Sequence, residues 1–371
     1  MIVRIEDISS ACAKILPAVD VSSYSITSET VQLSASSEIL TLSVTNKEYF
    51  VAVKIPAPKE ESFFATVNAE LFLKLISSIT TETVELSVTD KYLKVRGNGN
   101  YKLPLIFDEG EILEQPKITI DNEVQHAVMD GKILNDINLY NSKELLKGGG
   151  AMFPIQNYFY LDSHGCITFT SGACVTQFEL PSDIRVLLTS KVVKLFKLFN
   201  NSDTVNVVVG EDAITDNIVQ TKVRFYTNTV DITAIIPSAQ EDIEKFPSTA
   251  VRNRANDDYD YSVVFNKSYL MQAVNRMLLF DGGEKLNRYL NITFNEYHAI
   301  LCSYDNSNEE EVIYENEIEM GGEEYHMSID ANDLKLTLAS CNDNYVNLSF
   351  GNHQAVTISC HNIINILSEL G

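Results

Sequence analysis

One stretch of the chain decides the fold class: Val67–Leu75 (VNAELFLKL), followed by Thr83–Val88 (TVELSV). The first part places apolar residues at helical spacing behind an asparagine, a residue type that caps helices. The second part alternates apolar and polar residues, as a half-buried strand does. Tyr92–Arg96 and Tyr101–Leu105 continue as strands around a turn with the sequence GNGN. The stretch therefore predicts a short helix followed by a meander of strands.

The same order of elements recurs twice further along the chain. Leu188–Leu198 and Ile329–Leu336 have helical spacing, and the helix starts fall near positions 68, 190 and 331. Strands are predicted after them at Val205–Val209 and Tyr345–Phe350. Recurrence of one supersecondary unit at wide spacing is typical of a chain built from repeated modules.

A related helix-plus-strands unit precedes each of these three. Its helices are predicted at Ile5–Leu16, Val128–Leu146 and Phe265–Val274, which gives six units in all, two per domain. The polar stretches Phe107–Pro116 and Ser248–Asp260 are predicted as linkers. The sequence thus predicts an α+β fold with domains at 1–116, 117–255 and 256–371, although another α+β protein could give a similar series of elements.

The bulk composition limits the function classes. The 371 residues carry a formal charge of −23, and 45% of them are hydrophobic. There is no apolar run of about 20 residues that would cross a bilayer and no secretory signal. The six cysteines are scattered without a C-x-x-C pair, which predicts reduced thiols in a cytoplasmic protein. The acidic charge argues against nucleic acid as a partner unless basic residues are concentrated on one surface.

Catalytic and metal-binding patterns are missing from the sequence. There is no phosphate-binding loop, no nucleophile elbow, and no histidine pair at metal-ligand spacing. We therefore predict no enzyme activity, no cofactor and no metal. A hydrolase that uses the linker carboxylates Asp257, Asp258 and Asp260 remains an alternative. So does a repeat-built, β-rich structural or protein-interaction protein that does not bind DNA.

Several stretches together resemble one known family. They are Arg276–Lys285 (RMLLFDGGEK) with Leu290–Phe294 and Ile300–Val312, Ser62–Asn68 before the first repeat helix, and Phe169–Val175 (FTSGACV). In order and spacing they resemble the bacterial β sliding clamps, the processivity subunits of DNA polymerase III. The resemblance implies a three-domain DNA clamp that forms a ring, with the helices lining the hole. Three domains per chain imply a homodimer with six domains around the DNA.

The resemblance also implies which residues face the DNA. They would lie on the inner helices, with Lys191, Lys194 and Lys197 at three-residue spacing on one helix face. Such lysines would contact phosphates only, so binding to double-stranded DNA would be independent of sequence and sensitive to salt. The full predicted set is Lys74, Lys132, Lys143, Lys147, Lys191, Lys194, Lys197, Lys267 and Arg276.

Two protein surfaces follow from the same resemblance. Edge strands of the first and third domains would close the ring, with Tyr101 and Leu103 facing Leu278 and Leu279 of the second copy. A pocket would accept short peptides of the DNA polymerase and the clamp loader, and it would be lined by Thr170, Gly172, Val175, Pro247, Ile364 and Ile366.

The chain departs from the family pattern at that pocket. Ala173 and Cys174 replace a histidine and an arginine, and the C-terminal tail ends in Ser368-Glu369-Leu370-Gly371 instead of the usual motif. These departures favour a divergent clamp, of the kind that a phage would encode for its own polymerase.

Overall fold

The computed structural model describes the chain except for residues 21–24, 37, 59–61, 140–157, 170–171, 216–217, 237–242, 281–288, 352–354 and 371. The described chain forms two compact units. The first comprises Met1–Asn135 and Leu180–Gln240, and the second comprises Asp136–Glu179 and Glu241–Gly371. The domain boundaries at 116 and 255 remain a prediction.

The elements follow one order six times: a strand, a helix, then three strands. We call each such series a half-module. The first two are β1 (Ile2–Arg4), α1 (Ile5–Ile15), β2 (Thr30–Ser36), β3 (Ile39–Thr45) and β4 (Tyr49–Pro56), then β5 (Phe63–Asn68), α2 (Ala69–Ser78), β6 (Thr83–Val88), β7 (Tyr92–Arg96) and β8 (Asn100–Pro104). A short hairpin, β9 (Phe107–Asp108) and β10 (Glu111–Ile112), follows them.

The third and fourth half-modules continue the pattern. They are β11 (Glu123–Asp130), α3 (Gly131–Leu139), β12 (Phe159–Asp162), β13 (Gly165–Phe169) and β14 (Ala173–Gln177), then β15 (Arg185–Leu188), α4 (Ser190–Lys194), β16 (Thr204–Thr215), β17 (Ile218–Tyr226) and β18 (Val230–Ile235). The short helix α4 runs into a 3-10 turn at Leu195–Leu198, and a separate helix, α5 (Ser248–Ala255), precedes the last third of the chain.

The fifth and sixth half-modules complete the chain. They are β19 (Tyr261–Asn266), α6 (Lys267–Met277), β20 (Tyr289–Phe294), β21 (His298–Cys302) and β22 (Glu309–Ile313), then β23 (Tyr325–Asp330), α7 (Ala331–Ser340), β24 (Tyr345–Phe350), β25 (Ala355–Cys360) and β26 (Ile363–Ser368). Helix α6 ends in a 3-10 turn at Leu278–Phe280. The six predicted units are therefore confirmed, each with an additional strand before its helix.

The strand pairings that the structure describes are antiparallel. In the first unit, β1-β6-β7-β8 form one sheet and β11-β16-β17-β18-β4-β3-β2-β5 form another. In the second unit, the neighbouring strands β12-β13-β14-β26-β25-β24-β19 form one sheet and β22-β21-β20-β23 form another. Two of the pairings, β18 with β4 and β14 with β26, join strands that lie far apart in sequence. Each joins the last strand of one half-module to the last strand of another.

The core lies between the sheets and the helices. In α2 the buried side chains are Ala69, Phe72, Leu73 and Ile76, at the spacing of a single helix face. The strands alternate in the same way, as in β24, where Val346, Leu348 and Phe350 are buried. Helix α1 lies against α2 in the first unit, and α6 lies against α7 in the second.

Two of the sequence predictions were wrong in extent. The helix predicted at Val128–Leu146 begins only at Gly131, because Val128 to Asp130 complete strand β11, in which exposed and buried residues alternate. Residues 140–146 lie outside the described part of the chain. The linker predicted at Ser248–Asp260 contains helix α5, which was missed because it buries only Val251 and Ala255 and is otherwise polar.

Candidate nucleic-acid interface and partner site

A lysine occurs at every third position along α4 and the 3-10 turn that follows it. Lys191, Lys194 and Lys197 are exposed, and the residues between them, from Val192 to Leu198, are buried. The helix begins at Thr189, whose hydroxyl accepts the backbone N–H of Val192. Each lysine is followed by two buried residues, so the three lysines share the solvent side of this segment. That this face contacts DNA stays a prediction.

Lys191 differs from its two neighbours because it already has anionic partners. Its Nζ lies 2.8 Å from Glu48 Oε1 and 3.6 Å from Asp20 Oδ2. The hydrogen bond to Glu48 is the largest cause of a raised pKa for Lys191. The lysine holds the α4 region to the segments before β2 and before β4, so its charge is largely neutralised within the chain.

Three other predicted DNA-facing residues are also engaged. Lys74 Nζ lies 2.5 Å from Glu70 Oε1 on the same helix, and Lys267 Nζ donates to the carbonyl of Cys341 at 2.7 Å. Arg276 of α6 forms an ion pair with Glu310 of β22, and this hydrogen bond lowers the pKa of Glu310. The two ion-paired groups, Lys74 and Arg276, contribute less net positive charge than the sequence alone suggests.

Lys132, Lys194 and Lys197 are exposed and have no anionic partner among the described residues. Their helices are neighbours: Asn135 of α3 donates to the carbonyl of Phe199 at 3.1 Å and to Asn201 Oδ1 at 2.9 Å. This contact places the helix of Lys132 beside the turn of Lys197. Lys143 and Lys147, also predicted to face DNA, lie outside the described residues.

The predicted partner pocket falls on one apolar face of the second unit. In an antiparallel sheet, directly opposed residues share a face. Ala173 pairs with Ile366 and Val175 with Ile364; the first row continues to Phe169 of β13, and the second continues to Ile167 of β13 and Tyr160 of β12. We call this surface the apolar face; its side chains are Tyr160, Ile167, Phe169, Ala173, Val175, Ile364 and Ile366. The structure thus places Val175, Ile364 and Ile366 on one face, and their role in binding a partner stays a prediction.

Gly172 allows β14 and β26 to approach each other closely at the start of β14. A Cβ at this position would lie 1.9 Å from the carbonyl oxygen of Ile366, so only glycine permits the approach of β14 to β26. Thr170 lies outside the described residues. Val175 and Ile366 are buried, whereas Gly172, Phe169 and Ile364 are half-buried and form the accessible rim.

A residue that lies just before the predicted linker Ser248–Asp260 covers part of the apolar face. Phe246 stacks on Tyr160, with ring centroids 4.5 Å apart, and its ring lies 5.6 Å from that of Phe169. Pro247 is exposed next to it and precedes α5. In the sequence, this contact corresponds to a phenylalanine next to a proline within a polar stretch. A search for hydrophobic periodicity does not detect such a pair.

Polar contacts fix α5 to the same sheet. Arg252 donates to both oxygens of the buried Asp162 carboxylate at 2.7 and 2.9 Å, a bidentate geometry that favours a single orientation. Gln177 Nε2 donates to Asn256 Oδ1 at 3.0 Å at the far end of the helix. The wall of the candidate partner site is therefore held in place before any partner arrives.

The end of the chain is fixed along β23. The backbone N–H of Leu370 donates to the carbonyl of Ser328 at 2.8 Å, and the Tyr325 hydroxyl donates to Glu369 Oε2 at 2.9 Å. Burial, followed by the bond to Glu369, raises the pKa of Tyr325 to about 12.

Of the predicted ring-closing residues, Tyr101 and Leu103 lie on an edge strand, whereas Leu278 and Leu279 lie in the 3-10 turn that follows α6. Tyr101 is on β8, the last strand of one four-stranded sheet, and β22 is the last strand of the other. Within the described chain, β8 and β22 each pair with a strand on one side only. Tyr101 and Leu279 are exposed and Leu278 is half-buried, whereas Leu103 is 2% exposed and faces its own core. The backbone edge of β8, more than the Leu103 side chain, is thus available to a second copy.

The charges along these two edges are opposite. Lys94 and Lys102 face each other across β7 and β8, with Arg96 on the same side of the sheet. Strand β22 carries Glu309, Glu310 and Glu311, of which Glu310 is paired with Arg276.

The described residues contain no group of three or more His, Cys, Asp or Glu side chains placed to hold a metal ion. Asp257, one of the carboxylates considered for a hydrolase, lies 3.2 Å from Arg254. No helix in the described part of the chain is long and apolar enough to cross a membrane.

Taken over its whole length, the chain has the fold of a three-domain DNA clamp. It superposes on the DNA polymerase sliding clamp of Bacillus subtilis with a TM-score of 0.76 and 16% identity, covering 100% of this chain and 98% of the other. The β subunit of DNA polymerase III from Thermotoga maritima gives a TM-score of 0.75 at 15% identity, covering 100% and 98%. The resemblance inferred from the sequence is confirmed at the level of the fold.

A third similar structure, the Helicobacter pylori β clamp, was solved with a DNA ligase peptide bound. It matches with a TM-score of 0.73 and 15% identity, covering 100% of this chain and 99% of that one. No protein-family model matches the chain, and no curated protein matches it in sequence. Fold and order of elements, not residue identity, carry the likeness.

Proposed function

We propose that this protein is a DNA sliding clamp, a non-enzymatic, cytoplasmic processivity factor that encircles duplex DNA and tethers the replicative polymerase. The observation that carries the proposal is the pattern of strand pairing between half-modules. β4 pairs with β18, and β14 pairs with β26. In each pairing, the first half-module of one domain is joined to the second half-module of the next domain. β22 and β8 are the corresponding strands that still lack such a partner within the described chain.

A third pairing of the same kind, between β22 and β8 of two copies, would close a ring. β22 of one copy would pair with β8 of the next, and two copies with three domains each would return to the start as a homodimer. An open strand edge presents unpaired backbone N–H and C=O groups, which favours addition of a strand. The basic residues beside β8 and the acidic residues of β22 add electrostatic complementarity, which favours the correct partner.

DNA would be held in this ring by few and weak contacts. Lys132, Lys194 and Lys197 are exposed on neighbouring helices without an anionic partner among described residues, and they would contact phosphates. A formal charge of −23 for the chain repels DNA elsewhere. A clamp must move along the duplex, and a small number of sequence-independent phosphate contacts permits this movement.

The polymerase and the clamp loader would bind at the apolar face. Its accessible rim, formed by Phe169, Gly172 and Ile364 next to Pro247, offers an apolar surface on a preformed wall. A peptide from a partner would bury apolar side chains there with little reorganisation of the clamp. The DNA ligase peptide bound to the Helicobacter pylori clamp is a precedent for peptide binding by a protein of this fold.

Charge reversal on α4 tests the DNA contacts. We expect Lys194→Glu with Lys197→Glu to weaken binding of a short fluorescent duplex. The slope of log affinity against log salt should decrease by about 2, because two phosphate contacts are lost. The measurement is fluorescence anisotropy over a salt series, with sedimentation to show that self-association is unchanged.

The matched control is Lys117→Glu, which makes the same type of charge change at an exposed position outside the helices. It should leave the salt slope as it is in the wild type. An unchanged slope in the double variant would remove α4 from the DNA path.

A further inference from the structure

A groove lies beside the hairpin β9–β10 in the first unit, and no part of the proposed clamp function uses it. Phe64, Phe107 and Ile112 supply its apolar lining, and Gly110 is at the turn. We call it the Phe107 groove. Its complete lining is Phe64, Asp90, Phe107, Gly110, Glu111, Ile112 and Glu114.

The groove is preformed because its hairpin is tied to strand β5. Ile106 N–H donates to the carbonyl of Thr66 at 2.9 Å, and the Thr66 hydroxyl donates to the carbonyl of Leu113 at 2.6 Å. Beyond the hairpin, Gln115 is 1% exposed and its Nε2 donates to the carbonyl of Thr30 at 2.9 Å. These contacts fix the hairpin backbone at both ends, so a ligand would meet a formed surface and lose less entropy on binding.

The apolar side chains of the groove remain accessible. Phe107 is 46% exposed and stands directly opposite Ile112, so both side chains lie on the same face of the hairpin. Phe64 is half-buried beside them. Covering this aromatic surface would be favourable at about 25 cal/mol per Å² of apolar area, which calls for a bulky apolar residue in the ligand.

The charges around the groove select the sign of the ligand. The eight residues from Phe107 to Glu114 include four carboxylates (Asp108, Glu109, Glu111 and Glu114) and no basic residue, and Asp90 adds a fifth at the rim. None of the five forms an ion pair with a described residue. DNA and anionic lipid would be repelled, whereas lysine or arginine side chains would be attracted.

We propose that the Phe107 groove docks a linear peptide segment of a partner protein in which lysine or arginine residues flank a bulky apolar side chain. The apolar residue packs against Phe107 and Ile112, and the cationic residues lie along the carboxylates of the hairpin. This site is separate from the apolar face of the second unit and does not depend on DNA binding or on ring closure.

Two fluorescent peptides test the proposal on the full chain. In the first, four lysines flank a leucine–phenylalanine pair, and in the second two serines replace that pair. We expect the first peptide to bind at least about ten-fold more tightly than the second, a difference of about 1.4 kcal/mol. Phe107→Ser should remove this preference, because the exposed aromatic contact is lost.

Matched variants separate the groove from the general acidity of the protein. Tyr297→Ser removes a 69% exposed aromatic side chain from the second unit and should leave the preference intact. Glu109→Gln, Glu111→Gln and Glu114→Gln together should weaken the first peptide about ten-fold at low salt. The same three changes at Glu315, Glu317 and Glu319 should have a much smaller effect.

Three results would overturn the proposal. The first is equal binding of both peptides, and the second is equal binding to the Phe107→Ser variant and the wild type. The third is loss of self-association in the Phe107→Ser variant by sedimentation, which would make the groove a contact between copies. A melting temperature equal to that of the wild type shows that the variant is folded.

Discussion

At the scale of single residues, a side-chain capping contact marks the change from strand to helix in four of the six half-modules. Asn68, Asn266 and Asp330 each end a strand, and each accepts a backbone N–H from the first turn of the next helix. Thr189 does the same for α4. Caps of these types made the helix starts near 68, 190 and 331 predictable from sequence. The strands before these helices were not predicted, because they are short and run directly into the helical pattern.

The sequence also overstated the number of basic side chains that are free to contact DNA. Lys191, Lys194 and Lys197 look equivalent in the sequence, yet only Lys191 reaches Glu48 and Asp20. Those carboxylates lie more than a hundred positions away, so no local pattern could reveal the pairing. The folded chain therefore concentrates the available positive charge on fewer residues than the sequence suggested.

Tyr325 gives a pH prediction for the C-terminus. Its pKa is raised from about 10 to about 12, first by burial and then by the bond to Glu369. The neutral hydroxyl is the form that the fold favours, so its contribution to stability is present below pH 10 and is lost as the pH rises toward 12. We expect the Leu370 amide to lose protection in that interval, as measured by NMR hydrogen exchange.

The variant Tyr325→Phe is the control for that titration. It lacks the ionisable hydroxyl, so protection of Leu370 should be lower at neutral pH and should show no specific change between pH 10 and 12. Constant protection in the wild type across this interval would contradict the assigned role of Tyr325.

At the scale of elements, local pairings were predictable and distant ones were not. Hairpins such as β7–β8 follow from alternation and a GNGN turn. The pairings β4–β18 and β14–β26 depend on tertiary structure, since their strands carry no turn between them and their register is set by packing. At the candidate partner site, Val175, Ile364 and Ile366 were predicted from the family resemblance, whereas Phe246 and Tyr160 were found only in the structure.

Gly172 tests the β14–β26 junction. We expect Gly172→Ala to destabilise this pairing, because the new Cβ would meet the carbonyl oxygen of Ile366 at 1.9 Å. Amide exchange should increase at Ala173 to Thr176 and at Ile363 to Ile366. Gly110→Ala, at a position with open space around it but a positive φ, should affect only the β9–β10 hairpin. Equal protection of the junction in wild type and Gly172→Ala would refute the close-approach argument.

At the scale of the whole molecule, the formal charge of −23 and the clamp fold are compatible because charge is unevenly distributed. Glutamates of β22 lie at one sheet edge and lysines near β8 at another, while the α4 face keeps Lys194 and Lys197. Net charge is a sum over the surface, and a sum does not reveal such separation.

Complementary variants test the ring-closing edges. Tyr101→Asp and Leu279→Asp should each abolish the proposed homodimer, because both junctions of the ring would then contain a buried carboxylate. A mixture of the two variants should recover a heterodimer, since one of its two junctions is fully wild type. Sedimentation of each variant alone and of the mixture measures this; failure of the mixture to associate would argue against pairing between these edges.

The shape of the particle in solution decides whether this protein forms a closed ring. Negative-stain electron microscopy of the full chain at micromolar concentration should show a closed ring of two copies, with six domains around a central hole that admits a DNA duplex. A compact monomer without a hole at that concentration would contradict the proposal that this protein is a sliding clamp.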